Sequence, residues 1–225
     1  MTAPVNLSAL ALLDVAAAEI LAAPALHLAA STDPALRFGR LSLSAGVSAS
    51  STASFFLILE KGSLTLASGD NLLRISAGQA VQIGPETDVT LIPGDGAEVL
   101  LLAHLSAAFP SGIRAIDLEA ALSPSPSPSA AVLTTDSPSC SSHPMPGAGP
   151  VTLGLWAATP YARKAVTMAY SEVMYFLHGG ATLIDDQGIR HSFGPGEVLL
   201  APVGASLGWE SSLSVRKLFI SADPV

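Results

Sequence analysis

The sequence predicts an all-β protein of two tandem β-barrels behind a short N-terminal helical arm. Two observations carry this. From Arg37 to Leu105, short segments with β-branched and aromatic residues are broken by Gly, Asp, Asn and Pro at intervals of about ten residues, the rhythm of a sandwich or barrel. A second stretch, Val151 to Ile220, runs parallel to the first when Gly62 is set on Gly179 and Thr65 on Thr182. After one inserted residue, Gly78 then falls on Gly196, as an internal duplication requires.

The elements come in order along the chain. Residues 1–30 form the arm: Ser8 to Ala23 carries Leu10, Leu13, Ala17 and Ile20 or Leu21 at helical spacing, with Ser8 as cap and Pro24 as stop. Such an arm suits a barrel face or a subunit contact, and with it a homodimer. Residues 31–120 form the first barrel. Residues 121–150, with repeated Ser-Pro, sustain neither helix nor ladder and read as an extended surface linker. Residues 151–225 form the second barrel.

Composition narrows the function classes. Charged residues make up 12% of the chain and apolar ones 49%, so the surface is built from Ser, Thr, Gly, Pro and Ala. A net charge of -8, with ten Lys and Arg spread along the chain, argues against a nucleic-acid partner. The apolar run from Leu7 to Ala30 is interrupted by Asp14, Glu19 and Pro24 and follows no basic residue, which argues against a signal or membrane segment. The single Cys140 excludes an internal disulfide, and a cytoplasmic location is expected. Cys140 and His143 have Cys-x-x-His spacing, but nothing nearby completes a four-ligand zinc set.

One stretch organises the second barrel. Between Ala165 and Glu210, Gly179 follows Glu172 by seven residues, a Gly-Pro-Gly turn spans Gly194 to Gly196, and Pro202-Val203-Gly204 comes after it. These spacings resemble the two motifs of the cupins, which implies jelly-roll-like barrels. Gly154-x-Trp156, Trp209-Glu210 and Arg216-Lys217 extend the resemblance to the subfamily of the ethanolamine-utilisation cupin and the (S)-ureidoglycine aminohydrolase-type cupins. Metal-binding members carry a His-x-His pair ahead of the glutamate. Here those positions hold Val166 and Met168, with Ala165 and Thr167 in the alternative spacing, and the second-motif histidine falls on Leu207. The resemblance thus implies no metal and no other cofactor. In the first copy the counterpart of Glu172 is Phe55, the proline and glycine become Gly84 and Glu86, and the histidine position is Val89. Its interior is expected to close by apolar packing.

Strand parity then defines a pocket. If Glu172 points inward, Tyr170, Met168, Met174 and Phe176 do too, and position 207 inward brings Leu207 and Trp209 to the same wall. A buried carboxylate needs a partner. Lys217, alternating with Val215 and Phe219 on the last strand and standing at the subfamily's recurring basic position, is the candidate. Two readings stay open: Glu172 and Lys217 form the floor of a small-molecule site, acting in catalysis or binding with Trp156, Tyr170 and Trp209 as stacking walls, or they are a structural ion pair. His178 is expected at the rim. His191, beside a turn, is a weaker candidate for a general base, and Asp185 and Asp186 belong to that turn. The enzymatic alternative is an aminohydrolase, isomerase or lyase using Glu172 as acid or base; a third class is a purely structural oligomerisation module.

Overall fold

The computed structural model describes residues 3–13, 35–107 and 109–224. Their regular secondary structure is almost entirely strand, with one short 3₁₀ turn. They divide into two compact units, residues 7–117 and residues 1–6 with 118–225. No helix among the described residues is long and apolar enough to cross a membrane.

Each unit is a pair of sheets around an apolar interior. In the first, one sheet runs Ile113–Ile116, Ala80–Ile83, Ser54–Lys61, Ala97–His104, Leu36–Leu43 and Leu12–Leu13, and the other Val47–Ser50, Asp88–Pro93, Ser63–Ser68 and Asn71–Ser76. In the second, the larger sheet runs Val5–Asn6, Val198–Ala201, Ser171–His178, Val215–Ala222, Val151–Ala158, Cys140–Ala148 and Ser123–Ser125, and the smaller Tyr161–Thr167, Ser206–Ser211, Ala181–Ile184 and Arg190–Phe193. The four central strands of the large sheets, and all four of the small ones, succeed each other in the same order in both units.

The turns repeat as well. Gly78 donates to Leu59 O at 2.7 Å and Gly196 to Phe176 O at 2.8 Å, both glycines at positive φ. Glu86 donates to Ser51 O at 2.9 Å and Gly204 to Met168 O at 2.8 Å. This places Ser51 on Met168, and hence Phe55 on Glu172, the alignment that the sequence suggests. Phe55 is fully buried in the first unit's core, packed among aliphatic side chains such as Leu57, Leu101 and Val89.

Two expectations need correction. Of the expected helix from Ser8 to Ala23, residues 14–23 lie outside the described residues. Before them stand a short 3₁₀ turn at Leu7–Ala9 and a strand at Leu12–Leu13 that pairs in parallel with Arg40 and Leu41. There the sheet edge overrides helix propensity by satisfying the backbone. The Ser/Pro-rich segment is not a linker throughout, because Ser123–Ser125 and Cys140–Ala148 join the large sheet of the second unit. Extended polyproline dihedrals lie close to those of a strand. Pro144 and Pro146 fall beyond the part of Cys140–Ala148 that Ser123–Ser125 covers, on an open edge where a missing N–H costs little. Cys140 is accordingly a buried core residue, and burial raises its thiol pKa.

Glu86, at φ 54°, is the one non-glycine residue at positive φ among the described residues, and it stands where the second unit has Gly204 at φ 79°. A side chain in this region costs about 1–2 kcal/mol, against up to about 1 kcal/mol for the extra freedom a glycine gives the unfolded chain. Glu86→Gly is therefore expected to raise Tm by about 2 °C. Gly204→Ala should lower it, although nothing lies within 4 Å of the added Cβ; differential scanning fluorimetry of both variants checks the pair.

Candidate functional site

The site begins with strand Ser171–His178, whose first six residues are buried. It lies between Val198–Ala201 and Val215–Ala222, with Phe176 opposite Lys217. Glu172 stands on the same face as Phe176, so Lys217 reaches it by extending along the barrel interior. Lys217 Nζ donates to Glu172 Oε1 at 2.7 Å. The side chains are 9% and 11% exposed, a geometry that holds only because each charge compensates the other.

Aromatic rings complete the cradle. Lys217 Nζ lies 5.1 Å from the centre of the Trp156 ring and 5.5 Å from that of Trp209, both cation–π contacts. Trp209 stacks on Tyr161 and Phe176, and its indole N–H donates to Ser211 Oγ at 3.3 Å. Among the described residues, Lys217 has one acceptor and Glu172 Oε2 none. The pair thus keeps free donors beside a free acceptor.

A cavity of about 380 Å³ opens over the pair. Of the residues singled out from sequence, Met168, Tyr170, Glu172, Met174, Trp209 and Lys217 line it. Trp156 and Leu207 do not. Leu207 is packed into the apolar cluster with Leu183 and Phe193, and Trp156 lies beside that cluster and touches the site through the Lys217 ammonium. Tyr170 stands at the rim, 37% exposed. Its hydroxyl pKa is raised by the Glu172 carboxylate first and by burial second. Tyr161, under the Trp209 ring, is pushed by burial up to about 12.

Sequence reasoning misses Arg163 and the part of the Ser/Pro-rich segment that folds over the opening. Arg163 lines the cavity, with Nη1 donating to Leu207 O at 2.7 Å. Pro128 and Val132 come from the segment expected to be a linker. The hydrogen bond from Lys164 N to Val132 O, 2.8 Å, and the bridge between Leu133 and Arg163 hold them there. A low-complexity run has no periodicity from which that packing can be read.

The remaining polar candidates lie elsewhere. His191 Nε2 is 3.0 Å from Asp185 Oδ2, and Asp185 Oδ1 accepts from Gln187 N and Ile189 N, so both residues belong to a hairpin. His191, first, and these backbone donors lower the Asp185 pKa. His178 faces a separate groove.

Residues 147–219 match the EutQ-like cupin domain. The fold is that of the cupins. Among solved structures, a protein of unknown function from Pseudomonas syringae pv. tomato str. DC3000 is similar at a TM-score of 0.79 and 26% identity, over 85% of this chain and 84% of that one. A cupin 2 conserved barrel domain protein from Leptotrichia buccalis aligns at 0.62 and 12% identity, over 85% and 86%. Salicylate 1,2-dioxygenase from Pseudaminobacter salicylatoxidans aligns at 0.58 and 10% identity, over 85% and 72%. The last two show the fold alone. Comparison with the curated proteins finds no match.

Metals are common in cupins, and the residues here do not fit one. The Glu172 carboxylate is taken by an ammonium; Val166 and Met168, which line the same cavity, and Leu207, packed in the core, offer no nitrogen or oxygen side-chain donor. No group of three or more His, Cys, Asp and Glu among the described residues can hold an ion.

Two measurements probe the pair and its surroundings. Lys217→Met alone leaves a buried carboxylate uncompensated and is expected to cost about 3 kcal/mol in urea unfolding, whereas Glu172→Met/Lys217→Met together should fall within about 1 kcal/mol of wild type. At high pH, an unfolded tyrosine ionises near pH 10 while folded Tyr161 holds its proton to about 12. The unfolded state then binds fewer protons, so stability is intact below about pH 10 and falls as pH approaches 12. Tyr161→Phe should flatten this fall in the urea midpoint.

Proposed function

We propose that the chain is a bicupin whose second barrel binds a small molecule without a metal ion, the first barrel serving as an apolar structural copy. The observation that carries this is the buried Glu172–Lys217 pair, 2.7 Å apart, facing a cavity of about 380 Å³ rather than being closed over. Were the pair purely structural, Met168 and Trp209 would pack onto Glu172 and leave no such space. The pair presents an acceptor, Glu172 Oε2, beside free ammonium donors, which suits a polar group that both donates and accepts. Met168, Met174 and Val166 suit the apolar part of the same ligand, and a volume near 400 Å³ lies within the usual range of small-molecule sites.

The same geometry admits chemistry. Glu172 Oε2 is placed to take a proton from a bound substrate, and Lys217 to stabilise negative charge that forms beside it. On this version the protein is an aminohydrolase, isomerase or lyase acting on a small polar metabolite.

Both Trp residues, Trp156 and Trp209, contact the Lys217 ammonium, so tryptophan fluorescence reports on the site. A metabolite screen read by thermal shift, repeated with a chelator and with added divalent metals, is expected to give hits that raise Tm and change the fluorescence independently of metal. Glu172→Gln then separates the versions: retained affinity with lost turnover means catalysis, and lost affinity without turnover in the wild type means binding. A hit at the barrel cavity that needs one equivalent of metal per chain, or a screen in which no hit changes tryptophan fluorescence, would overturn the proposal.

A further inference from the structure

The second unit carries a larger concavity that the barrel pocket does not use. A groove of about 880 Å³ is lined from the Ser/Pro-rich segment, from the end of strand Val151–Ala158 and from the start of Val215–Ala222. Ser127, Ser139, Ser141 and Thr159 contribute to its walls, and His178 and Arg216 are its nitrogen-bearing ionisable residues. Among the described residues no Asp or Glu lines it, in a chain where acidic residues outnumber Lys and Arg by 18 to 10.

Arg216 is held in an unusual way. Its Nε donates to Leu118 O at 3.2 Å, and its Nη2 donates to Leu118 O at 2.8 Å and to Ala120 O at 2.9 Å. These bonds fix the guanidinium plane without neutralising it. Arg216 forms no ion pair among the described residues, and its Nη1 hydrogens have no acceptor among them. The conformational entropy of ordering this side chain is thus already spent in folding. His178 is its cross-strand partner, which puts the two on one face of the sheet. Burial raises the pKa of Cys140, also in the wall, so the thiol adds no competing negative charge.

We infer that this groove is a second binding site, which takes the phosphate monoester of a small polyhydroxylated molecule. The phosphate oxygens meet Arg216 Nη1 and His178, a charge-assisted contact that a neutral ligand does not make. The hydroxyl-rich walls meet the polyol. A bare anion fills only a fraction of the groove, and a carboxylate offers two oxygens to these donors where a phosphate monoester offers three.

Titration of the isotope-labelled full chain by two-dimensional NMR tests this, with glucose 6-phosphate, inorganic phosphate, gluconate and glucose as probes. Glucose 6-phosphate is expected to move the amide signals of Ser141, Thr159, His178 and Arg216, to leave the Trp209 indole N–H unmoved, and to bind at least tenfold more tightly than inorganic phosphate or gluconate. Glucose should produce no shift. Arg216→Gln should weaken glucose 6-phosphate binding at least tenfold. Because that variant also releases Leu118 and Ala120, Ser214→Asp is the companion: it adds a negative charge to the groove, leaves the Arg216 bonds intact and should weaken binding as much. The inference is overturned by no shift with either phosphate probe, by an equal response to glucose, by gluconate binding as tightly as glucose 6-phosphate, by shifts confined to Trp209 and its neighbours, or by full affinity in Ser214→Asp.

Discussion

A carboxylate set inside an apolar barrel must find a positive charge, and much of the second unit follows from how Glu172 finds one. Its partner comes from the far end of the chain, and in the sheet register Lys217 stands opposite Phe176, four residues beyond Glu172. At about 3.3 Å per residue the side chains close a gap of about 13 Å along the barrel. A slip of one residue between these strands would turn one partner to the other face. The pair therefore ties strand register to charge balance. Trp156 and Trp209 reinforce it by placing their ring faces against the ammonium.

The two units show one strand order carrying two kinds of interior. Where the second has Glu172, the first has Phe55, packed in a cluster of aliphatic side chains. There a fully buried ring takes up the space. A long acid that must be met by an equally long base leaves space beside both.

Spacing makes the fold legible in the sequence. Gly62 and Gly179 sit at positive φ of 74° and 65°, where an added Cβ would run into backbone oxygens, so no other residue serves those turns. Alternation along Ser171–His178 and its approach puts Met168, Tyr170, Met174 and Glu172 on one wall, and all four line the cavity. Alternation tells which face a residue takes and not how deep it lies, which is why parity groups Leu207 with the pocket although it is packed in the core. Arg163, Pro128 and Val132 carry no such signal, since their positions follow from a long-range bridge between a Ser/Pro-rich segment and a strand edge. Arg216 is legible only as a basic neighbour of Lys217; its fixed orientation depends on the carbonyls of Leu118 and Ala120.

The strand Val5–Asn6 pairs with Leu199 and Leu200, so the second unit takes its edge from the opposite end of the chain. During synthesis that segment leaves the ribosome long before its partner exists. The first unit can complete its own sheets while Val5 and Asn6 wait, and the long loop from Asn6 to Leu199 must close before they dock. Trimming these residues would expose the backbone groups of Val198–Ala201 as an open sheet edge, a surface prone to pair with another chain. Val5 and Asn6 thus act as a late-fitted guard for a strand made long after them.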